Sequence, residues 1–321
     1  KELYGIGMAY DFCIEKSTTD IFMIFHADMM LGKDADLKAF NHLKPKTVVC
    51  STRIEPPLHP NGGEKILEDF GMYPEEFKET EFNQYIKNRV EQFDEVPTTE
   101  GIFAPWMMYK NEFKALGGHD PIMHSCREDS DIFNRMLLAD FTFIQSWESF
   151  VYHFTGRGAG SFDGDEARHR KWQTDMNKST LEFIRKWGQN VNHTPLMKPV
   201  VSPKYDIGFI IKNCNTLKLL KILEPWCSTV YMDNWTVRNE YLYQENHNTS
   251  FDLDYKIKAY DNEKNNEILV TMDGSKFTQQ DFQIVQQLSA ILQDSGEIGS
   301  FELGNLHIDI IQINTYEKDL I

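Results

Sequence analysis

The sequence predicts an α/β protein with two units, of which the second is the smaller. Apolar stretches with strand character alternate with stretches of helical periodicity along the 321 residues. Three prolines between 190 and 203 interrupt this alternation, and the pattern restarts after them. The chain is also long enough to form two cores. We therefore expect a first unit at 1–190, a linker at 191–203 and a second α/β unit at 204–321.

Composition and charge exclude several classes of partner. The net charge is −16, and it is shared: 1–202 holds 23 basic and 31 acidic residues, and 203–321 holds 10 and 18. Two acidic halves argue against nucleic acid or an anionic membrane surface as the main partner. No apolar run approaches the ~20 residues that span a bilayer, and no signal peptide is visible. The five cysteines form no Cys-x-x-Cys pair, which is typical of a reducing compartment, and we expect a cytoplasmic protein.

Local patterns predict the elements of the first unit. Apolar residues at helical spacing between 8 and 13 predict a helix. The continuous apolar run at 21–25 predicts a strand buried on both faces, as in a parallel sheet. The further predicted elements are, in order, a strand at 47–50, a helix at 78–89, a strand at 101–109 running into a helix that Gly117-Gly118 ends, a helix at 129–139, a strand at 150–152 and a helix at 166–187.

The second unit shows the same alternation. Its predicted strands are 205–211, 229–232, 255–259, 267–272 and 306–313, and its predicted helices are 216–223 and 278–292.

His26, Asp28 and His153 are the candidate metal ligands. His26 and Asp28 directly follow the strand at 21–25, and His153 ends another short strand. In open α/β sheets ligands bind at the carboxyl ends of the strands, so we expect Asp28 and His153 to meet there, with His26 joining or bordering the site. A carboxylate and a neutral imidazole suit Mn²⁺ or Mg²⁺ when phosphate oxygens and water complete the coordination. The alternative for an isolated His-x-Asp is a loop residue with a capping role.

The cluster Glu128-Asp129-Ser130-Asp131 supplies candidate catalytic carboxylates. Asp129 and Asp131 open a predicted helix, where the helix dipole favours carboxylates that serve only as caps. A carboxylate in a cleft can instead accept the proton of a substrate hydroxyl. Asp129 is the preferred base, and Asp131 is the alternative.

Two further features are candidates for ligand binding. The glycine-rich stretch 156–164 predicts a loop beside the metal, from which Arg157 would contact a diphosphate. The basic run 168–171 either adds to this positive charge or forms a solvated helix face. Trp106 has a ring that can stack on a sugar, although core packing is the commoner role of such a residue.

In combination, these motifs resemble glycosyltransferase family 2, whose catalytic domain has the GT-A fold. The motifs stand in the family's order over 3–190, and they are His26-Ala27-Asp28, Phe103-Ala104-Pro105-Trp106, Gly117-Gly118-His119-Asp120, Glu128-Asp129-Ser130-Asp131, Tyr152-His153 and Phe183-Ile184-Arg185-Lys186-Trp187-Gly188. The resemblance implies a GT-A-like, Rossmann-related mixed sheet flanked by helices.

The resemblance also implies roles for individual residues. Asp28 stands at the second position of the family's Asp-x-Asp metal motif, where His26 replaces the first Asp, and His153 completes the metal site. Asp129 matches the catalytic base.

Gly118 and Asp120 match the family's Gly-Gly-x-Asp segment on the acceptor side. The implied function is that of a metal-dependent inverting hexosyltransferase, as in polysaccharide biosynthesis, which moves a sugar from a nucleoside-diphosphate sugar to the hydroxyl of a glycan or other acceptor. The alternative is a non-catalytic glycan-binding or partner-docking protein on a degenerate transferase scaffold.

One departure from the family concerns its N-terminal nucleotide-binding strands, which do not precede the metal motif here. We expect that an N-terminal piece is missing before Lys1 or that another segment replaces it. The segment 205–234 loosely resembles those strands, either as a degenerate second GT-A-like domain, which we prefer, or as a permuted first half. We expect 203–321 to lack a metal site of its own, because Asp273 is the single carboxylate after its strand at 267–272.

Overall fold

The computed structural model of this chain describes residues 5–91, 97–156 and 166–321. It is an α/β protein with two mixed sheets flanked by helices, which confirms the predicted class. Arg157 and the rest of 157–165 lie outside the described residues. Within the described residues, no helix combines the length and the apolar character needed to cross a membrane.

The chain divides into two compact units, although the division differs from the predicted linker at 191–203. The first unit comprises 1–175 and 192–200, and the second comprises 176–191 and 201–321. The second half of the helix predicted at 166–187 therefore belongs to the second unit. The reason is packing, since Ile184 in this helix belongs to the second unit's hydrophobic core.

The elements of the first unit include two strands that are much longer than predicted. In chain order they are α1 (Ile6–Lys16), β1 (Ile21–Ile24), β2 (Met29–Leu31), α2 (Ala35–His42), β3 (Thr47–Glu55), β4 (Lys65–Leu67), α3 (Glu79–Glu91), β5 (Thr98–Thr99), β6 (Trp106–Tyr109), α4 (Lys110–Ala115), α5 (Glu128–Leu138), β7 (Thr142–His153) and the start of α6 (Glu166–Trp187). β3 extends five residues beyond its predicted end because its polar residues are buried and bonded. Thr52 donates to the Ser146 carbonyl, and Ser51 bonds to Ser149.

The first sheet has the strand order β1-β6-β3-β7-β2, with β4 beside β3 and β5 beside β7. β3 and β7 are parallel, and β6 is antiparallel to both β1 and β3. The strands β1, β3 and β7 therefore run in the same direction. The residues that end or follow them, among them Asp28, Glu55 and His153, share one carboxyl edge of the sheet.

The prediction that 21–25 pairs in parallel is wrong, because β1 pairs antiparallel with β6. The apolar run has a different cause, which is packing on both faces. Phe22 and Ile24 belong to one core cluster, while Ile21 and Met23 pack against another.

The second unit has its own sheet, with the order β10-β9-β8-β11-β13-β12. After the end of α6, its elements are β8 (Ile207–Lys212), α7 (Leu217–Leu223), β9 (Thr229–Met232), α8 (Trp235–Glu245), α9 (Leu253–Lys256), β10 (Ile257–Ala259), β11 (Ile268–Asp273), α10 (Gln279–Ser295), β12 (Gly299–Leu303) and β13 (Leu306–Ile310). The first four strands in this order run parallel to one another. β13 is antiparallel to both of its neighbours, β11 and β12. The permuted alternative required these strands to complete the first sheet, at whose edge Asp28 lies. They instead form a separate sheet.

A buried ion cluster joins α6 to the rest of the second unit. Glu224 has no exposed surface, and its carboxylate lies 2.7 Å from Arg185 Nη2, 2.7 Å from Lys256 Nζ and 2.8 Å from the Tyr241 hydroxyl. Burial alone would raise the pKa of Glu224, but the charges of Lys256 and Arg185 hold that pKa at about 2. The carboxylate is thus ionised at every ordinary pH.

We predict that Glu224→Gln lowers the free energy of unfolding by roughly 3–5 kcal/mol, because it leaves buried cations without their shared anion. Urea unfolding of the whole chain at pH 7 measures this change. The pKa of Glu224 is below the usual ~4.3, so its contribution is present above that pH and is lost as the pH falls towards 2. Wild type should lose this part of its stability in acid, and the variant should not.

The matched control is Glu166→Gln, which removes an exposed ion pair with Arg170 on α6 and should have little effect. Equal stability of wild type and Glu224→Gln would show that the buried cluster does not stabilise the second unit.

Candidate active site

The carboxyl edge of the first sheet brings His26, Asp28 and His153 together. The ligand atoms of the three side chains lie within 4.8 Å of one another. Strand register explains the meeting: Met29 in β2 is paired with His153 in β7, so Asp28 stands next to the histidine. Asp28 Oδ2 and His153 Nε2 are 3.5 Å apart. Two residues 125 positions apart in sequence thus share one site, as the strand ends predicted.

Glu55, at the end of β3, fixes the orientation of His153. Its Oε1 lies 2.8 Å from His153 Nδ1. Burial alone would raise the pKa of Glu55, but the hydrogen bond from His153, the charge of Arg53 and the hydrogen bond from Lys65 hold that pKa at about 2. Glu55 is therefore ionised and can only accept, so Nδ1 carries the proton and Nε2 faces Asp28. This is the carboxylate–histidine pairing that commonly orients metal ligands.

Glu55 is itself held by two buried cations. It is 2% exposed, and its carboxylate lies 2.9 Å from Arg53 Nη1 and 3.0 Å from Lys65 Nζ. Arg53 also contacts Glu64 at 3.4 Å and stacks on Phe103, with its Cζ 3.6 Å from the ring centroid. Sequence reasoning missed Glu55 because the strand was predicted to end at residue 50. The available signal was Pro56-Pro57, which marks the true strand end.

The protonation states of the three candidate ligands suit a cation. Burial lowers the pKa of His26, so its imidazole is neutral near pH 7. The hydrogen bond from His153 lowers the pKa of Asp28, which is ionised. Burial also acts to lower the pKa of His153, but its hydrogen bonds to Asp28 and Glu55 outweigh burial and raise it. A metal ion would therefore compete with one proton, on His153.

The donor set discriminates between the two predicted metals. Two imidazole nitrogens and one carboxylate oxygen suit Mn²⁺ and other transition metals, whereas Mg²⁺ prefers oxygen ligands throughout. The three residues fit a transition-metal ion with open coordination positions, and they fit Mg²⁺ poorly.

Tyr10 extends the site towards α1. Its ring stacks on His26, with 6.2 Å between centroids and 6° between planes, and lies 6.0 Å from the ring of His119. Burial, and then the nearby carboxylates of Glu128, Asp129 and others, raise the pKa of Tyr10 to about 12. The phenol is therefore a neutral hydrogen-bond donor. Sequence reasoning did not identify it, because helical spacing indicated only an apolar face.

The start of α5 presents two carboxyl groups in this region. The charge of Asp129 contributes to the pKa shifts of both His26 and Tyr10, so Asp129 lies within electrostatic range of these two side chains. Its Oδ1 accepts from the backbone N–H of Ser130 at 2.6 Å, while its Oδ2 makes no hydrogen bond with any described residue. Glu128 buries its Oε2 without a described partner; burial, and then the charge of Asp129, raise the pKa of Glu128 to about 7.

Asp131 does not fit its predicted place as the alternative base. It is fully buried, and its Oδ2 lies 2.9 Å from Arg135 Nε. Arg135 in turn donates to the carbonyls of Leu116 and Gly118. Asp131 thus anchors the Gly117-Gly118 turn, and Gly118 is required there because its φ is +73° and a Cβ would lie 2.4 Å from Asp11 Oδ2.

Trp106 and Asp120 also have local structural contacts. Trp106 is 2% exposed and packs against Phe22 and Phe133, so its ring is a core residue and cannot stack on a sugar. Asp120 is half-buried and accepts from the backbone N–H of Ile122 at 3.0 Å. Gly118 and Asp120 therefore shape the turn beside α1, and Arg157 lies outside the described residues.

Comparison with known proteins adds no assignment: no known family matched the chain, and no curated protein did.

We predict that the affinity for Mn²⁺ falls about tenfold per pH unit below the pKa of His153, which lies above its usual value of ~6.5. One proton must leave Nε2 before that nitrogen can coordinate, so low pH opposes binding and higher pH favours it. Isothermal titration between pH 5.5 and 8.5 measures the slope. An affinity that does not change over this range would exclude His153 as a ligand.

We also predict that Glu55→Gln weakens Mn²⁺ binding by about 10–100-fold, the usual cost of losing an orienting carboxylate. The matched control is Glu64→Gln, because Glu64 shares the Arg53 contact but does not touch His153. Titration of both variants at pH 7.5 makes the comparison. Equal affinities in the two variants would mean that Glu55 does not orient the metal ligand.

Proposed function

We propose that this chain is a metal-dependent inverting glycosyltransferase that uses a nucleoside-diphosphate sugar as donor. The observation that carries the proposal is a carboxylate–imidazole metal set at one sheet edge, with the carboxylate of Asp129 within electrostatic range of His26. The resemblance of the motifs to glycosyltransferase family 2 supports the same function. We further propose that the first unit is GT-A-like and the second a degenerate unit of that kind.

His26, Asp28 and His153 would hold the cation on the donor's diphosphate. A bound Mn²⁺ would supply positive charge for the departing nucleoside diphosphate. The chain's own part is to orient the ligands: Glu55 orients His153, and the ring of Tyr10 stacks on His26. The acceptor would be the hydroxyl of a glycan or another molecule.

Asp129 would accept the proton of the acceptor hydroxyl as the hydroxyl attacks the anomeric carbon. Its Oδ2 is open to such a hydrogen bond, because Oδ1 alone accepts hydrogen bonds from the described residues. The neighbouring Glu128 has a pKa of about 7 and is partly protonated near neutral pH.

A second candidate function follows from the donor set alone. Two histidines and one carboxylate with open positions also bind Fe²⁺ in non-haem oxygenases. Metal analysis of the purified chain and oxygen uptake with Fe²⁺ separate the two candidates. Oxygen consumption, together with no release of nucleoside diphosphate from any sugar nucleotide, would favour the oxygenase.

We predict that Asp129→Asn lowers transfer by about 10²–10⁴-fold while binding of the sugar nucleotide survives, because the base is lost and the metal contacts are intact. The assay follows release of nucleoside diphosphate from a panel of UDP-, GDP- and CDP-hexoses with Mn²⁺. Titration of the best donor into the variant measures binding.

The control variant is Asp140→Asn, an exposed residue beyond the other end of α5 that should retain full activity. Glu128→Gln distinguishes the neighbouring carboxyl. Loss of activity in Glu128→Gln with full activity in Asp129→Asn would transfer the role of the base to Glu128 and contradict our assignment.

A further inference from the structure

The second unit contains a cavity of about 210 Å³ that the proposed function does not use. Much of its wall is aromatic or aliphatic, from Tyr205, Ile207, Trp226 and Phe251. The volume is below the ~300–1,000 Å³ of pockets for drug-sized ligands, so the cavity suits a small molecule.

Three basic side chains line the cavity, and two of them are already paired. Arg185 donates to Glu182 and Glu224, and Lys256 donates to the Glu224 carboxylate and carbonyl. The charges of these two cations are balanced by the two carboxylates, and their main donors are occupied. An anion in the cavity would therefore have to pair with a basic group other than Arg185 and Lys256.

The third basic residue, Lys204, has donors to spare. Its Nζ donates to the carbonyl of Lys186 at 2.5 Å, and it forms no ion pair with any described residue. An ammonium group has three N–H donors, so two remain. Ser228 and Ser289 also line the cavity, and their hydroxyls make no hydrogen bond with other described residues.

We infer that this cavity binds a small organic carboxylate, whose anionic group pairs with Lys204 and whose apolar body packs against Trp226 and Phe251. An ammonium group with two open donors, in a cavity also lined by two serines, matches a carboxylate. A phosphate group would call for more free donors, and the guanidinium of Arg185 is already engaged. The apolar wall requires a ligand with an apolar body.

The electrostatics of Lys204 agree with this assignment. Burial, and then the charges of Lys256 and Lys186, lower the pKa of Lys204 to about 8. A half-buried ammonium near other cations is unfavourable without an anion, and a bound carboxylate would reduce that penalty.

The test is titration of the full chain with sodium benzoate as the probe and with inorganic phosphate as the comparison. We expect saturable benzoate binding that weakens about tenfold or more in Lys204→Gln, as loss of one buried ion pair would cause. Lys218→Gln, on the exposed face of α7, is the matched control and should bind like wild type. Unchanged benzoate binding in Lys204→Gln, no saturable binding to wild type, or stronger binding of phosphate would each overturn the inference.

A second measurement on the wild-type chain covers the case in which Lys204→Gln fails to fold. At pH 8 about half of Lys204 is neutral, compared with under ~1% of a lysine whose pKa is ~10.4. Acetic anhydride followed by mass spectrometry should therefore modify Lys204 before Lys218, and benzoate should slow modification of Lys204 alone. Equal protection of both lysines, or of neither, would contradict the site.

Discussion

The buried carboxylate of Glu55 is the group on which the candidate active site depends. It is the shared acceptor for His153, Arg53 and Lys65, which reach it from β7, from β3 itself and from β4. A buried charge is tolerated only when it is paired, and removing one partner of such a pair typically costs several kcal/mol. The same contacts therefore join three strands at the carboxyl edge and leave His153 Nε2 directed at Asp28. The contacts of Glu55 therefore contribute both to stability and to the geometry of the site.

The surroundings of each carboxyl group determine its chemistry. Asp28, hydrogen-bonded to a histidine, has a lowered pKa and remains anionic. Glu128, buried beside Asp129 without a hydrogen bond to its Oε2 from the described residues, has a pKa near 7. These opposite shifts within one region are typical of sites that bind a cation and move a proton. Structural ion clusters also shift pKa values, as Glu224 illustrates in the second unit.

The sequence predicted the α/β class and the meeting of Asp28 with His153, because both rest on where apolar runs end. It did not predict that Glu55 belongs to the site. β3 is fully buried but contains polar residues, so the apolar pattern indicated a shorter strand. Trp106 and Asp131 were misjudged for a related reason. Residue type and spacing suggest chemistry, but only packing reveals that one is enclosed by aromatic rings and the other by Arg135. The antiparallel pairing of β1 could likewise not be predicted from the local sequence, because apolar content does not determine strand direction.

The measurement that tests this account most directly is the location of Mn²⁺ in crystals of the chain soaked with the metal, by anomalous scattering. The account predicts one strong peak at coordination distance from His26, Asp28 and His153, with Nδ1 of His153 still bonded to Glu55. A strong peak elsewhere, or an Asp28–His153 pair unchanged and free of metal at saturating Mn²⁺, would contradict it. In either case the carboxyl edge of the first sheet would be a structural ion cluster.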